Sequence, residues 1–234
     1  MELQDFATRE LYSRLGFNQP VLSILDRKGE TMQVMHEALN LTNFTVPPTA
    51  VEVADEQNRD QFRIGRHQIF SRLTTADDLG DSVDRIEAFF KVALEHLDPP
   101  NIDSINVRSC DIAPAESFDG LRDCMNESLV NDFSGLKSAM SVASNDAGWV
   151  QEFDEEDISG RVQFGPMRSE ELAELLQVPE RTDDPPNMLF LLVNTNVITP
   201  DLSTAHAVER WQSAVERQRG IADRVGEWLK DRLA

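Results

Sequence analysis

Apolar residues recur along the chain with both helical and alternating periods, which predicts a mixture of helices and strands. The clearest pattern is a broad apolar stripe over residues 81–97, which predicts a helix. Its members are Val83, Ile86, Phe89, Phe90, Ala93, Leu94 and Leu97. Asp81 or Ser82 is placed to cap the start of this helix, and the two prolines that follow Asp98 end it.

Similar patterns predict further helices over residues 2–15, 30–41, 118–130 and 169–176, and strands over residues 21–25, 51–53, 61–73, 102–112, 161–164 and 188–198. Residues 202–233 predict one long helix, or two that are joined near Gly220. A single helix over this stretch would be about 48 Å long. Because this length is large for one compact domain, we expect part of the helix to project or to pair with another subunit.

Strand–helix units therefore recur along the chain, and the predicted fold class is α+β. We expect a mainly antiparallel sheet with helices packed on one face and a long C-terminal helix. The 234 residues are interpreted as a single domain over 1–234. A subdivision, if there is one, would fall near residues 98–101, where two prolines interrupt the pattern.

The charge of the chain is strongly acidic, with 42 acidic and 22 basic residues and a net charge of −20. This balance opposes direct binding to nucleic acid and to anionic membranes. No apolar run approaches the roughly 20 residues that a membrane span needs. Two cysteines provide neither a disulfide framework nor a structural zinc site, so we expect a reducing cytoplasm.

The sequence contains no motif that marks a catalytic, cofactor or metal site. His36 and Glu37 begin like a zinc-protease helix, but Asn40 stands where the second histidine is needed. There is no phosphate-binding glycine loop and no nucleophile elbow. We therefore predict no catalytic residues, no cofactor and no metal, which favours a non-enzymatic protein.

The long C-terminal helix is the first candidate surface. Trp211 and Trp228 are seventeen residues apart, which is nearly five helical turns, so both face one side. One interpretation is burial against the sheet, and the other is an aromatic-anchored interface. The predicted interface residues are Trp211, Val215, Val225, Trp228 and Leu229.

An acidic run is the second candidate surface, formed by Asp154, Glu155, Glu156 and Asp157. A charge run of this kind is typical of a solvated loop. The alternative is a contact patch for a basic partner.

A polar set forms the third candidate, as an anion or ligand contact, and comprises Arg63, His67, Arg108 and Asn194. On one strand over residues 61–73, Arg63 and His67 share a face, and Phe70 lies on the other. Pairing of these cations with neighbouring carboxylates is the alternative interpretation.

The order of segments resembles a sporadically distributed, uncharacterised bacterial α+β family of about this length. The resemblance is carried by residues 61–74, the helix to Leu97 and the strand at 105–112. In that strand the family shows an I-x-L-R-Y-x-N-x-I pattern. Val107, Arg108 and Ile112 fit the pattern, whereas Ser109 replaces its aromatic residue and Asp111 its Asn. The resemblance spans roughly residues 60–234 and implies an α+β fold and an accessory or defence-related role, without catalytic residues.

These observations favour a non-enzymatic cytoplasmic interaction protein that binds a protein partner, or itself, through its C-terminal helix. Two alternatives stay open. The first is an acidic inhibitor or antitoxin-like neutraliser of a basic protein. The second is a small-ligand-binding protein or an enzyme with an unrecognised site.

Overall fold

The computed structural model of the protein describes residues 4–55, 60–74, 79–130, 148–177 and 181–233. Its strands are β1 (Ala7–Phe17), β2 (Phe44–Thr45), β3 (Ala50–Asp55), β4 (Asp60–Gly65), β5 (Gln68–Leu73), β6 (Ile102–Pro114), β7 (Trp149–Glu155), β8 (Ile158–Arg168) and β9 (Asn187–Leu202). Its helices are α1 (Ser23–Asp26), α2 (Lys28–Leu39), α3 (Leu79–Leu97), α4 (Phe118–Leu129), α5 (Ser169–Leu176) and α6 (Thr204–Leu233).

The nine described strands form one antiparallel sheet in the order β2-β3-β4-β5-β1-β6-β9-β8-β7. Apart from α1, β2 and α5, the described elements of its two halves follow the same order, in which a strand and a helix precede three antiparallel strands and a closing helix. These elements are β1-α2-β3-β4-β5-α3 in the first half and β6-α4-β7-β8-β9-α6 in the second. Residues 98–101 join the halves, and the pairing of β1 with β6 makes the sheet continuous across the join.

Helices α3 and α6 cover one face of the sheet and enclose the largest apolar cluster. The stripe predicted for residues 81–97 is buried there, with Val83 at its margin. A chain of aromatic contacts links sheet and helices, with ring centroids 5.0 Å apart for Phe62–Phe89, 5.7 Å for Phe89–Phe90 and 5.3 Å for Phe90–Trp211. The predicted α+β class, with its antiparallel sheet and long C-terminal helix, is confirmed.

Helix α5 packs on the opposite face, at one end of β6 and β9. Its Leu172 and Leu176 cover apolar side chains of these two strands, namely Cys110, Ile112, Met188, Phe190 and Leu192. The remainder of that face carries mostly polar side chains.

Two predictions for the N-terminal region are wrong. Residues 7–17 form the central strand β1 and not a helix, and residues 23–26 form helix α1 and not a strand. Leu11 and Leu15 are four residues apart, a spacing that fits a helix and also fits one face of a strand. Ser13 lies between them on the buried face, and its polar side chain hides the alternation.

Helix α6 is continuous through Gly220 and does not project from the sheet. Its buried positions extend from Ala207 to Leu233. The helix lies along β6 and β9, which are 13 and 16 residues long, or about 43 and 53 Å at about 3.3 Å per residue. Strands of this length support a 30-residue helix of about 45 Å along most of its length, so the expectation of a projecting segment is wrong.

Candidate binding face

Most of the residues predicted as an interface on the C-terminal helix are buried inside the molecule. Trp211, Val215 and Leu229 are buried against the chain's own sheet, and Val225 is half-buried. Trp228 differs, because it remains 42% exposed. The two tryptophans therefore do not share one exposed surface, and the interface hypothesis narrows to the surroundings of Trp228.

The predicted acidic patch occupies the hairpin between β7 and β8. Its residues are Asp154 and Glu155 at the end of β7, and Glu156 and Asp157 in the turn. The Asp157 carboxylate accepts hydrogen bonds from Arg217, at 2.9 Å, and from Arg210 of α6. The bond from Arg217 lowers the pKa of Asp157 more than burial raises it, and Arg210 adds to the lowering. The other three carboxylates are exposed.

The four residues predicted as an anion or ligand contact do not form one cleft. Arg108 and Asn194 are direct neighbours on β6 and β9. Arg63 lies on β4, three strand gaps from Arg108, or about 14 Å at about 4.8 Å per gap. It forms an ion pair with Glu52 at 2.8 Å. His67 lies in the exposed turn between β4 and β5.

The side of the sheet away from α3 and α6 carries two rows of side chains that cross eight strands. From β3 to β7 the Tyr12 row consists of Ala54, Gln61, Arg72, Tyr12, Arg108, Asn194, Arg161 and Glu152. The Phe70 row consists of Glu52, Arg63, Phe70, Arg14, Asn106, Asn196, Ser159 and Asp154. All members of both rows are at least partly exposed. We call the two rows together the open face.

Phe70 lies on the open face beside Arg63, which differs from the prediction of one strand over residues 61–73. Residues 66 and 67 form a turn that divides this stretch into β4 and β5. The two strands are antiparallel, and Arg63 is the direct cross-strand partner of Phe70. Cross-strand partners share a face of the sheet, so the ring joins the polar rows.

The open face carries more positive than negative charge, although the chain as a whole is acidic. Its rows contain five arginines and three carboxylates, whereas the chain has a net charge of −20. Seven strand gaps of about 4.8 Å make each row about 34 Å long. The open face is therefore an extended, locally basic surface on an acidic protein.

The centre of the open face is built around a buried carboxylate, that of Glu10 on β1. Glu10 is 0% exposed, and its Oε1 accepts hydrogen bonds from Nε of Arg108, at 2.9 Å, and from Nη2 of the same residue. Its Oε2 lies 3.5 Å from Nε of Arg72 and accepts no hydrogen bond. One carboxylate thus holds two guanidinium groups, which reach it from the strands on either side of β1.

Tyr12 lies between these two arginines in its row. Its ring centre is 5.2 Å from Cζ of Arg108 and 5.7 Å from the ring centre of Phe70. Burial raises the pKa of the Tyr12 phenol, and the positive charges of three neighbouring arginines lower it in part. The phenol therefore stays protonated at neutral pH and retains an O–H group that can donate a hydrogen bond.

Arg14, in the next row, is the least satisfied cation at the centre. Its Nε is buried without a hydrogen-bond partner, and no carboxylate of the described residues pairs with it. A buried donor without a partner costs about 1–3 kcal/mol.

A depression lies at each end of the open face. The larger, of about 520 Å³, lies over β7, β8 and β9 beside Arg161, Asn194 and Asn196. The smaller, of about 210 Å³, lies over β3, β4 and β5 beside Gln61 and Phe70. The face thus has room for a ligand at both ends of its arginine-rich centre.

Gly160, one of the residues that line the larger depression, lies at a close approach between strands. A Cβ atom there would lie 2.4 Å from the Asn194 carbonyl oxygen and 2.5 Å from Cζ of Phe153. We therefore expect Gly160→Ala to lower the free energy of unfolding by about 1–3 kcal/mol, because the backbone oxygen cannot move aside cheaply. Gly29→Ala is the control, since a Cβ in that helix meets no atom within 4 Å and is expected to stabilise by about 0.5–1 kcal/mol.

Thermal unfolding of both glycine variants, followed by circular dichroism, tests this expectation. Equal melting temperatures for the two variants would contradict the close approach at Gly160.

No protein-family model matches the chain, and no curated protein matches it. Among solved structures the chain is similar to Methanococcus jannaschii TBP, with 11% sequence identity and a TM-score of 0.25. The match covers 97% of this chain and 99% of that chain. A TM-score this low supports no inference about the fold or the function.

The described ranges offer few other features that could form a reactive, metal-binding or membrane-spanning site. Both cysteines are free thiols, and burial raises the pKa of the Cys110 thiol well above its ordinary value. In these ranges no group of three or more His, Cys, Asp or Glu side chains is arranged to hold a metal ion. Likewise, no described helix has the length and apolar character of a membrane span.

Sequence reasoning missed Glu10, Tyr12 and Arg14, because it predicted a helix in their place. The signal for them in the sequence is a partial period of two. Leu11 and Leu15 alternate with Glu10, Tyr12 and Arg14, but the polar Ser13 interrupts the pattern. The predicted candidate Arg108 is retained, because it belongs to the same cluster.

Proposed function

We propose that this protein is a non-enzymatic interaction protein that holds an extended segment of a protein partner across the open face of its sheet. The observation that carries the proposal is the open face itself, whose two rows are partly exposed on every one of eight strands. A row of about 34 Å matches an extended segment of about ten residues. The low cysteine content supports a cytoplasmic location for this activity.

The open face is a better candidate surface than the C-terminal helix. Three of the five residues predicted as an interface on that helix already serve the protein's own core. The open face instead leaves donors and acceptors available, and it is built on strands that hold them in a fixed arrangement. Association of two copies near Trp228 is the competing arrangement.

Charge complementarity indicates the chemistry of the bound segment. The excess of arginine over carboxylate at the open face favours a segment that carries acidic groups. The net charge of −20 opposes the approach of a long polyanion, whose phosphates would extend beyond the basic surface. A protein segment with a few anionic groups therefore fits better than a nucleic acid.

A second candidate function has one observation in its favour. Asp154, Glu155 and Glu156 are exposed and have no cationic partner in the described ranges, and they lie near the tip of a hairpin at the edge of the sheet. Such a tip suits contact with a basic protein, as an acidic neutraliser would require.

A comparative pull-down tests the proposed function. The tagged full-length protein is incubated with a lysate of its source cells, and retained proteins are quantified by mass spectrometry. The open-face variant combines Arg14→Glu with Arg161→Glu, because neither arginine has an ion-pair partner in the described part of the chain. Arg224→Glu on the exposed side of α6 is the matched control. We expect the open-face variant to lose the partner and the control to retain it.

Two further variants separate the alternatives. Loss of the partner only with Trp228→Ala, together with a fall in the solution mass of the purified protein, would move the interface to the helix and contradict the proposal. Loss only with the pair Glu155→Lys and Glu156→Lys, in a salt-sensitive manner, would favour the acidic neutraliser instead.

A further inference from the structure

Three arginines and one tyrosine are neighbours at the centre of the open face. Arg72, Tyr12 and Arg108 are consecutive in the Tyr12 row, and Arg14 follows Tyr12 on the same face of β1. All three arginines act electrostatically on the Tyr12 phenol. The strand register therefore places these four side chains next to one another on the open face, between the two end depressions.

Only part of the hydrogen-bonding capacity of this centre is used. Arg108 directs Nε and Nη2 to Glu10, and its Nη1 has no partner among the described residues. Nε of Arg72 makes no hydrogen bond, although it lies 3.5 Å from the same carboxylate. Nε of Arg14 is buried without any partner. Each of the three arginines therefore keeps at least one N–H group that makes no hydrogen bond within the described ranges.

The charge at this centre indicates which anion it suits. Arg72 and Arg108 share the single buried carboxylate of Glu10, and Arg14 has no ion pair in the described ranges, so the three arginines leave two positive charges uncompensated. A carboxylate would balance one of them. A phosphate monoester carries a charge of about −1.5 to −2 at neutral pH and has three acceptor oxygens. Guanidinium groups also match phosphate oxygens in pairs, which makes arginine clusters suited to phosphate recognition.

We infer that the Arg14–Tyr12–Arg108 centre, completed by Arg72, binds the phosphate monoester of a phosphorylated side chain on the partner segment. The inference rests on the proposed function, because the segment lies along the open face and presents its phosphate at the middle. The arginines pair with the phosphate oxygens, and the Tyr12 hydroxyl donates a hydrogen bond to one of them. The buried Glu10 positions two of the arginines for this contact.

The experiment uses purified full-length protein and degenerate ten-residue peptides with one fixed central residue. That residue is phosphoserine, phosphotyrosine, serine or glutamate in four separate pools, and binding is measured by fluorescence anisotropy. We expect a phosphorylated pool to bind at least about tenfold more tightly than the serine and glutamate pools. Inorganic phosphate and a ten-nucleotide single-stranded thymidine oligomer are further probes, and both are expected to bind more weakly.

Matched variants locate the site. Arg14→Gln removes a cation without an ion pair in the described ranges, and it is expected to weaken phosphopeptide binding about tenfold or more. Arg224→Gln removes an exposed cation of α6 and is expected to leave the affinity unchanged. Unchanged melting temperatures for both variants would show that the fold is intact.

Several results would overturn the inference. If the phosphorylated and serine pools bind with equal affinity, the centre does not recognise phosphate. If inorganic phosphate binds as tightly as the phosphorylated peptides, the ligand is free phosphate and not a phosphorylated peptide. If the oligonucleotide binds more tightly than the phosphorylated peptides, the ligand is a nucleic acid. If the open-face variant still loses its partner in the pull-down while phosphopeptides do not bind, the inference fails and the proposed function stands.

Discussion

Replacing Trp211 with alanine is expected to lower the free energy of unfolding by about 3–5 kcal/mol. The indole is 0% exposed, and its ring meets that of Phe90 edge-on at a centroid distance of 5.3 Å. Its removal leaves a cavity between α3, α6 and the sheet, and the surrounding aromatic rings cannot close it without leaving their own contacts. Urea denaturation followed by far-ultraviolet circular dichroism measures the loss.

Trp228→Ala is the matched control for this prediction. The same residue type is changed on the same helix, but its side chain is 42% exposed. We expect a smaller loss, of about 1–2 kcal/mol, because a large part of this indole is already in contact with water. Similar losses for the two variants would mean that Trp211 does not anchor the core as its burial indicates.

The elements that are easiest to predict from the sequence are those with one apolar stripe that packs against the sheet. Helix α3 is an example, because its seven apolar residues lie within one stripe and a proline pair follows it. The N-terminal strand shows the opposite case. Glu10 is buried by ion pairs and Ser13 is buried as a polar residue, so neither position carries the apolar signal that marks a buried strand.

The candidate site was harder to predict than the fold, because it depends on the register between distant strands. Arg108 and Asn194 are 86 positions apart in sequence, and they become neighbours only through the pairing of β6 with β9. Tyr12 joins them through a second pairing, that of β1 with β6. No local pattern encodes either pairing, so the sequence could supply Arg108 and Asn194 as candidates but not their shared position.

The two faces of the sheet have different roles, and this difference connects the fold to the proposed function. Helices α3 and α6 use one face for the core, which frees the other face from a structural role over most of its width. Side chains there are positioned by strands that pair on both sides, and they lose little conformational freedom when a ligand binds. This arrangement favours recognition by a preformed surface.

The N-terminal end of β1 is held by an ion pair that the sequence does not reveal. Nε of Arg9 donates to Oδ1 of Asp184 at 2.6 Å, and Nη2 donates to Oδ2 at 3.0 Å. Nη1 of Arg9 also donates to the carbonyl oxygen of Thr74 at 2.6 Å. Both charged side chains are only 5% exposed. The pair thus ties the central strand to the loop before β9 and to the end of β5.

Asp184→Ala is expected to lower the free energy of unfolding by about 3–5 kcal/mol, because it leaves the Arg9 cation buried without a counter-charge. The double variant Arg9→Met with Asp184→Leu is expected to regain most of this loss, since it removes both charges and keeps apolar volume in place. Asp119→Ala is the control, because it breaks a comparable pair with Arg122 in which the carboxylate is 75% exposed. Its cost is expected to be about 1 kcal/mol or less. Urea denaturation of all three variants checks these values, and a loss for Asp184→Ala no larger than that for Asp119→Ala would show that water reaches the Arg9 pair.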